Sequence, residues 1–527
     1  MKPRSSFYII TCYLSVLTNF VFAQPAILFS DTKQFQHKPH IIGKTENRYF
    51  CLYPADSIPS LVIYDTDLRE KSRLRWDSIV AAKTTISYHV FTVKNKLSIL
   101  LKEKTTNGQR LKAVDIDENG NLAETNILFS DTTEKNNAAR NYEVEISKNG
   151  KYILLYRGIR TDEEHMLFEG ALFDNNWTLM KSFNYPLDKQ DEEDCWYGAT
   201  LDIEGNIHSM VFTSYNNWKL GTTIRIHTIP RTALDLSSEQ VDIRRKRLIN
   251  YSLREDTLSR SLQLQAITVQ QNSKDPFAGI SFVTFPFQRG KKISYLTYEF
   301  TADQKRNLYK GITSQKKLID NSSIKYSSGL FQGGYYFTSI FVTDYKETFN
   351  KQVVGRLMPE LLSTTNQSFV YDANQQFFPN RNMPGMTPAY RYGDNYGMER
   401  AGEKSSDQIV KNIVPNRARL AVIKNGSDGK LESWAQRDVY KSNEFVFDGQ
   451  LLMIKNDSLQ MLAYLFKDDV PSLFHVIPGK NIESRKIKMP EHYYLLLQDA
   501  MIISDEVTLV PYLDNSMHRY GIAKIIF

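Results

Sequence analysis

The stretch Ser147–Arg157, SKNGKYILLYR, restricts the fold of this chain more than any other. Asn149-Gly150 is a hairpin signal, because both residue types enter the left-handed backbone region at little cost. Behind it runs Tyr152-Ile153-Leu154-Leu155-Tyr156, five bulky residues without polar alternation. A strand of that kind has to be covered on both faces. Ahead of it, Tyr142, Val144 and Ile146 alternate with Glu143, Glu145 and Ser147, the period of a half-buried strand. Met166–Phe173 and Trp177–Phe183 follow as two more strands, flanking the turn cluster Asp174-Asn175-Asn176. Four short strands in succession make one antiparallel meander, the blade of a β-propeller.

The unit recurs. Thr45–Tyr53, Val93–Leu101 and Ile203–Phe212 echo it, with starts about fifty residues apart, close to the ~40–50 residues of propeller repeats. Leu264–Phe300, Phe331–Val342, Leu420–Lys424, Glu444–Phe466 and Tyr493–Phe527 continue the series with looser spacing. The expected fold is all-β: a single propeller over 24–527, of six to eight four-stranded blades, with seven the best fit to the spacing. Two long irregular insertions are expected, at about 231–263, with a short helix, and at about 375–409, which is rich in Pro, Gly, Asn and Met.

The first residues read as a targeting segment. Lys2 and Arg4 precede the apolar run Phe7–Phe22, and Val21-Phe22-Ala23 suits cleavage before Gln24. The chain is therefore expected to be exported with residues 1–23 removed, to the periplasm, the cell surface or the exterior. Loss of Lys2 and Arg4 takes the formal charge from +7 to +5. That balance is too mild to imply a nucleic-acid partner, and Arg244-Arg245-Lys246-Arg247 reads as a solvated loop. No later stretch has the length of a membrane-spanning helix. Cys51 and Cys195 remain in the processed chain; an oxidising compartment permits a disulfide, and a buried free thiol at Cys51 fits its apolar strand equally well.

Over most of its processed length the chain resembles secreted bacterial β-propeller proteins with divergent repeats. The likeness lies in the repeated turn-and-strand pattern alone. The Gly-His and Trp-Asp signatures of WD40 repeats are missing, as is a kelch double-glycine signature repeated per blade, so it implies an architecture and no functional residue.

Chemistry-bearing motifs are few. Asp115-Ile116-Asp117-Glu118-Asn119-Gly120 matches the first half of a calcium loop, with Asp115, Asp117 and Asn119 at ligand positions. The closing bidentate glutamate is replaced by Asn126, and the same spacing makes a plain β-turn, which is the preferred reading. No cofactor is expected, with Ca2+ the one alternative. Asp191, Glu193 and Asp194 beside Trp196 combine carboxylates with an aromatic platform, the equipment of glycan binding or of a glycosidase; a solvated acidic loop is the plainer reading. Tyr390, Tyr392 and Tyr396, in the irregular 375–409 segment, offer an adaptable contact surface. There is no His-Glu-x-x-His, no Gly-x-Ser-x-Gly elbow, no phosphate loop and no dinucleotide fingerprint. The function expected is a non-catalytic module binding a protein, peptide or glycan. A carboxylate-dependent glycoside hydrolase or lyase is the alternative, and an outer-membrane β-barrel the second alternative, suggested by the abundant tyrosine and the terminal Phe527.

Overall fold

The computed structural model describes residues 25–31, 38–54, 59–79, 85–106, 108–123, 126–131, 142–160, 165–188, 195–215, 220–233, 236–243, 246–256, 260–270, 279–287, 291–309, 324–332, 335–352, 408–441, 450–455, 458–464, 471–476, 482–504 and 506–527. Their strands fall into eight separate antiparallel sheets, seven of them four-stranded with the strands in chain order. These are blade 1 (40–75), blade 2 (85–131), blade 3 (143–188), blade 4 (195–242), blade 5 (246–299), blade 6 (324–441) and blade 7 (450–486). In blade 8, Tyr493–Leu495 and Met501–Ile502 pair with successive parts of Val507–Asp514. Arg519–Ile526 lies next, and Ala26–Phe29 adds the outer strand. A strand from one end of the sequence thus completes the sheet built at the other. Tyr512 donates its hydroxyl to the carbonyl of Ser30 at 2.6 Å, holding that junction.

The opening strand explains how the sheets meet. Ile153 and Leu155 pack against blade 2, in a core with Phe91, Val93 and Leu100. Leu154 and Tyr156 pack against blade 4, in a core with Leu201, Ile207 and Ile229. Alternate residues of one strand therefore feed two inter-blade cores, which is why the run is apolar throughout. Tyr49–Tyr53 behaves the same way: Phe50 and Leu52 face blade 2, while Tyr49, Cys51 and Tyr53 face blade 8. Further cores join blades 4 and 5, 5 and 6, and 7 and 8. Blade 8 packs on blade 7 and on blade 1, so the ring closes. The propeller has eight blades, the upper end of the expected range and one more than the spacing favoured.

The first strand of blade 1 touches that of blade 2, that of blade 3 touches that of blade 4, and that of blade 6 touches those of blades 5 and 7. Four of the turns share one device. The carboxylates of Asp65, Asp117, Asp174 and Asp202 each accept the backbone N–H groups two and four residues on. This is the side-chain mimicry of a turn that makes aspartate common at such sites. Trp177 closes one of them at φ 65°, ahead of the strand Leu179–Asp188 rather than inside it.

The stretch 231–263 is not an irregular insertion. It holds the outer strand of blade 4, Ser237–Asp242, and the first strand of blade 5, Lys246–Asp256. An outer strand is wet along most of its length; Val241 alone is buried in SSEQVD, and so few apolar residues leave little pattern to read. In blade 6, Tyr335–Gln352 and Gln408–Gly426 pair from end to end, and 343–352 with 408–416 runs on as a two-stranded ribbon beyond the neighbouring strands. The irregular insertion expected at 375–409 lies outside the described residues apart from Gln408 and Ile409, as does the targeting segment 1–23. A membrane barrel requires one sheet closed on itself. Among the described residues the strands form eight sheets with edges of their own, which overturns the barrel alternative. No helix of the described residues is long and apolar enough to cross a membrane.

Candidate functional site

Between the first strands of blades 8, 1, 2 and 3 lies a cavity of about 300 Å³. Gly43 opens it. A Cβ at Gly43 would stand 2.3 Å from Oγ1 of Thr92, so the first strands of blades 1 and 2 approach as closely as they do only with glycine there. The walls are apolar where Val90, Phe91, Val144, Ile146, Met501 and Ile502 contribute. The floor is the Ser147–Gly150 turn. Gly150, at φ 64°, rests on the backbone of Lys94. The turn's polar atoms are engaged: Asn149 donates to the carbonyl of Ile203 at 2.8 Å, and the Ser147 hydroxyl accepts the N–H of Tyr152 at 2.9 Å.

The polar groups left to face a ligand are cationic or neutral. Lys44, Lys94 and Lys148 border the cavity, are exposed, and have no ion-pair partner among the described residues. Glu145 is the one acidic residue of the lining. It alternates with Val144 and Ile146, which pack toward blade 2, so its side chain belongs to the opposite face. His89 sits in the middle of its strand, on the face shared with Phe91 and Val93. It is 9% exposed, and its Nδ1 is enclosed without a hydrogen-bond partner. Burial pushes its pKa down to about 4, so the ring is neutral near pH 7.

A second buried polar centre lies in the same two blades. Asp115 accepts from the Ser98 hydroxyl at 2.6 Å and the Trp177 indole N–H at 3.1 Å, and pairs with the Lys96 ammonium. These donors come from blades 2 and 3 and saturate the carboxylate. Asp117 accepts from the N–H groups of Asn119 and Asn121 and from the Asn121 amide. Burial works against its ionisation, but these hydrogen bonds hold its carboxyl below the usual range. The calcium-like motif is therefore built as an inter-blade clamp followed by a turn, and Asn119 enters through its backbone. Among the described residues no cluster of His, Cys, Asp and Glu has the arrangement of a metal site.

Asp191, Glu193 and Asp194 lie outside the described residues, as do Tyr390, Tyr392 and Tyr396. The backbone of Trp196 is in the first strand of blade 4, paired with Val211. Cys51 is fully buried and free, and burial raises its thiol pKa. His89, Lys94 and Lys148 carried no motif in the sequence. The one available signal was a histidine within a strand, TISYHVFTV, at the start of a repeat unit.

Fold and cavity together define an eight-bladed propeller with a cavity between four consecutive blades. Neither a protein-family model nor a curated protein sequence matches the chain. Solved structures that the chain matches include a prolyl endopeptidase at 10% identity, covering 92% of this chain and 55% of that one with a TM-score of 0.39. Prolyl oligopeptidase B from Galerina marginata is 7% identical over 94% of this chain and 56% of that one, with a TM-score of 0.37. The polysaccharide lyase Uly1 is 8% identical over 96% and 99%, again with a TM-score of 0.37. The chain spans about half the length of the two peptidase structures. At these identities and TM-scores the likeness carries no statement about this chain.

Proposed function

We propose that this is an exported, non-catalytic propeller that binds a protein, peptide or glycan through a terminal group seated in this cavity. The observation carrying this reading is the cavity itself. Four blades contribute to it, the first strands of blades 1 and 2 approach closely at Gly43, and it is bordered by a buried histidine nitrogen and by lysines with no ion-pair partner among the described residues. Such a site at the junction of rigid elements is where ligand binding concentrates. The reading invokes no cofactor. It is tested by screening the exported chain on peptide and glycan arrays beside Ile502→Trp, which enlarges a residue of the cavity wall. The expected result is a ligand retained by the wild type and lost at least about tenfold, near 1.4 kcal/mol, in the variant. Blank arrays with turnover on a substrate panel would overturn it.

The carboxylate enzyme stands second, on one specific observation. Glu143 and Glu145 are two apart on a first strand and so share a face. Burial raises the pKa of Glu143, with the Tyr156 hydroxyl opposing, as a general acid requires. Glu143→Gln with full turnover of a discovered substrate removes that reading.

A further inference from the structure

We infer that the cavity between blades 8, 1, 2 and 3 takes a carboxylate carried on a short apolar group, such as the free acid of a small molecule or the last residue of a peptide. The inference rests on the proposed binding role of the cavity and names what fits it.

The head group follows from His89. Its Nδ1 is enclosed and unpartnered. A proton on Nδ1 would bury a donor with no acceptor, whereas a lone pair there leaves only an under-satisfied acceptor, the more tolerated of the two. The favoured tautomer carries its proton on Nε2, and a neutral donor is thereby available to the cavity. Lys44, Lys94 and Lys148 add positive charge at the border, and none is neutralised by a described partner. A neutral donor backed by ammonium groups suits a monoanion. An amine would meet like charge, and a neutral hydroxyl would gain nothing from the lysines.

The body follows from the walls. Val90, Val144, Ile146, Met501 and Ile502 offer no hydrogen-bonding side chain, so sugar hydroxyls set against that part of the wall would be buried without partners, at about 1–3 kcal/mol each. A volume of about 300 Å³ lies at the small end of ligand sites and admits one apolar side chain with its carboxylate.

Calorimetric titration of the exported full chain tests this with five probes: 4-methylpentanoate, benzoate, 4-methylpentan-1-amine, the peptide acetyl-Ala-Ala-Leu, and the same peptide as its C-terminal amide. At least one carboxylate is expected to bind, weakening with added salt, and the amine and the amide are expected not to. Tighter binding of the peptide acid than of 4-methylpentanoate points to a peptide terminus, and the reverse to a free acid. His89→Leu is expected to weaken the carboxylate at least about tenfold while leaving the thermal midpoint level or raised, because it removes an unpartnered polar group. Lys94→Glu with Lys148→Glu is expected to abolish the salt dependence. Equal binding of the amine, no binding of any carboxylate, or unchanged affinity in His89→Leu overturns the inference. If an array ligand is still lost in Ile502→Trp while every carboxylate fails, the cavity remains the binding site and the anionic assignment alone falls. If Ile502→Trp changes nothing, both fall.

Discussion

Blades 2 and 3 hold two buried polar side chains that differ in one respect. Asp115 has a donor for each of its oxygens, while His89 has an enclosed nitrogen with none. Both are more than nine-tenths buried, so solvent supplies neither. A charge in that setting persists only if the fold saturates it, and the donors for Asp115 come from two blades, so its saturation ties them together. An uncharged ring with one unmet nitrogen costs far less, and a protein can keep it where a ligand will use the rest of the ring. The contrast separates scaffold from site within one pair of blades.

The largest way to break the contrast is Asp115→Ala. It strands the Lys96 ammonium, the Ser98 hydroxyl and the Trp177 indole together, and removing one partner of a buried pair costs about 3–5 kcal/mol. The midpoint of urea unfolding should fall accordingly. A fall of less than about 1 kcal/mol would mean that the clamp does not hold the blades.

Acid probes the other member. Burial lowers the pKa of His89 to about 4, from an unfolded value near 6.5. Between those values the unfolded chain binds a proton that the folded chain does not, so stability drops as pH falls from 6.5 toward 4. The group's full share is on the order of 3 kcal/mol, and it is absent above pH 6.5. His40 acts in the same direction: burial first and Lys38 second push it down to about 4, with Asp499 opposing. Urea unfolding at pH 7.5 and pH 4.5 should show a smaller acid loss in His89→Leu than in the wild type. Equal losses would mean that the imidazole is not held neutral.

The two centres were unequally legible in the sequence. The strand Tyr152–Tyr156 announced burial on both faces, and Asn149-Gly150 announced its turn, because both signals are local. Asp117 was legible as a turn for the same reason. Trp177 was misplaced by one element, since nothing local shows that a bulky residue will take φ 65° to reach Asp115, 62 residues away. Blade number depended on Ser237–Asp242, a strand too wet to show a pattern, and on Ala26–Phe29, whose partner lies at the other end of the chain. His89 and the lysines were invisible as a group for a related reason. Lys44, His89, Lys94 and Lys148 come from three repeats, and only closure of the ring brings their first strands together.

The smallest expected effect concerns the strand contact that shapes the cavity. Gly43 does not need a left-handed backbone; it needs room, since the Thr92 Oγ1 would lie 2.3 Å from an added Cβ. Gly43→Ala should therefore act as overpacking and cost about 1–3 kcal/mol. If space is the cause, Thr92→Ala should relieve it, because the nearest remaining atom is the Thr92 Cβ at 3.1 Å. The double variant should recover most of the lost stability, giving a coupling of at least about 0.5 kcal/mol between the two positions. Additive losses would show that glycine serves the backbone of the strand instead. In that case the close approach of blades 1 and 2 would follow from the bulge between Ile41 and Gly43, and the cavity from the register of one strand pair rather than from the missing side chain.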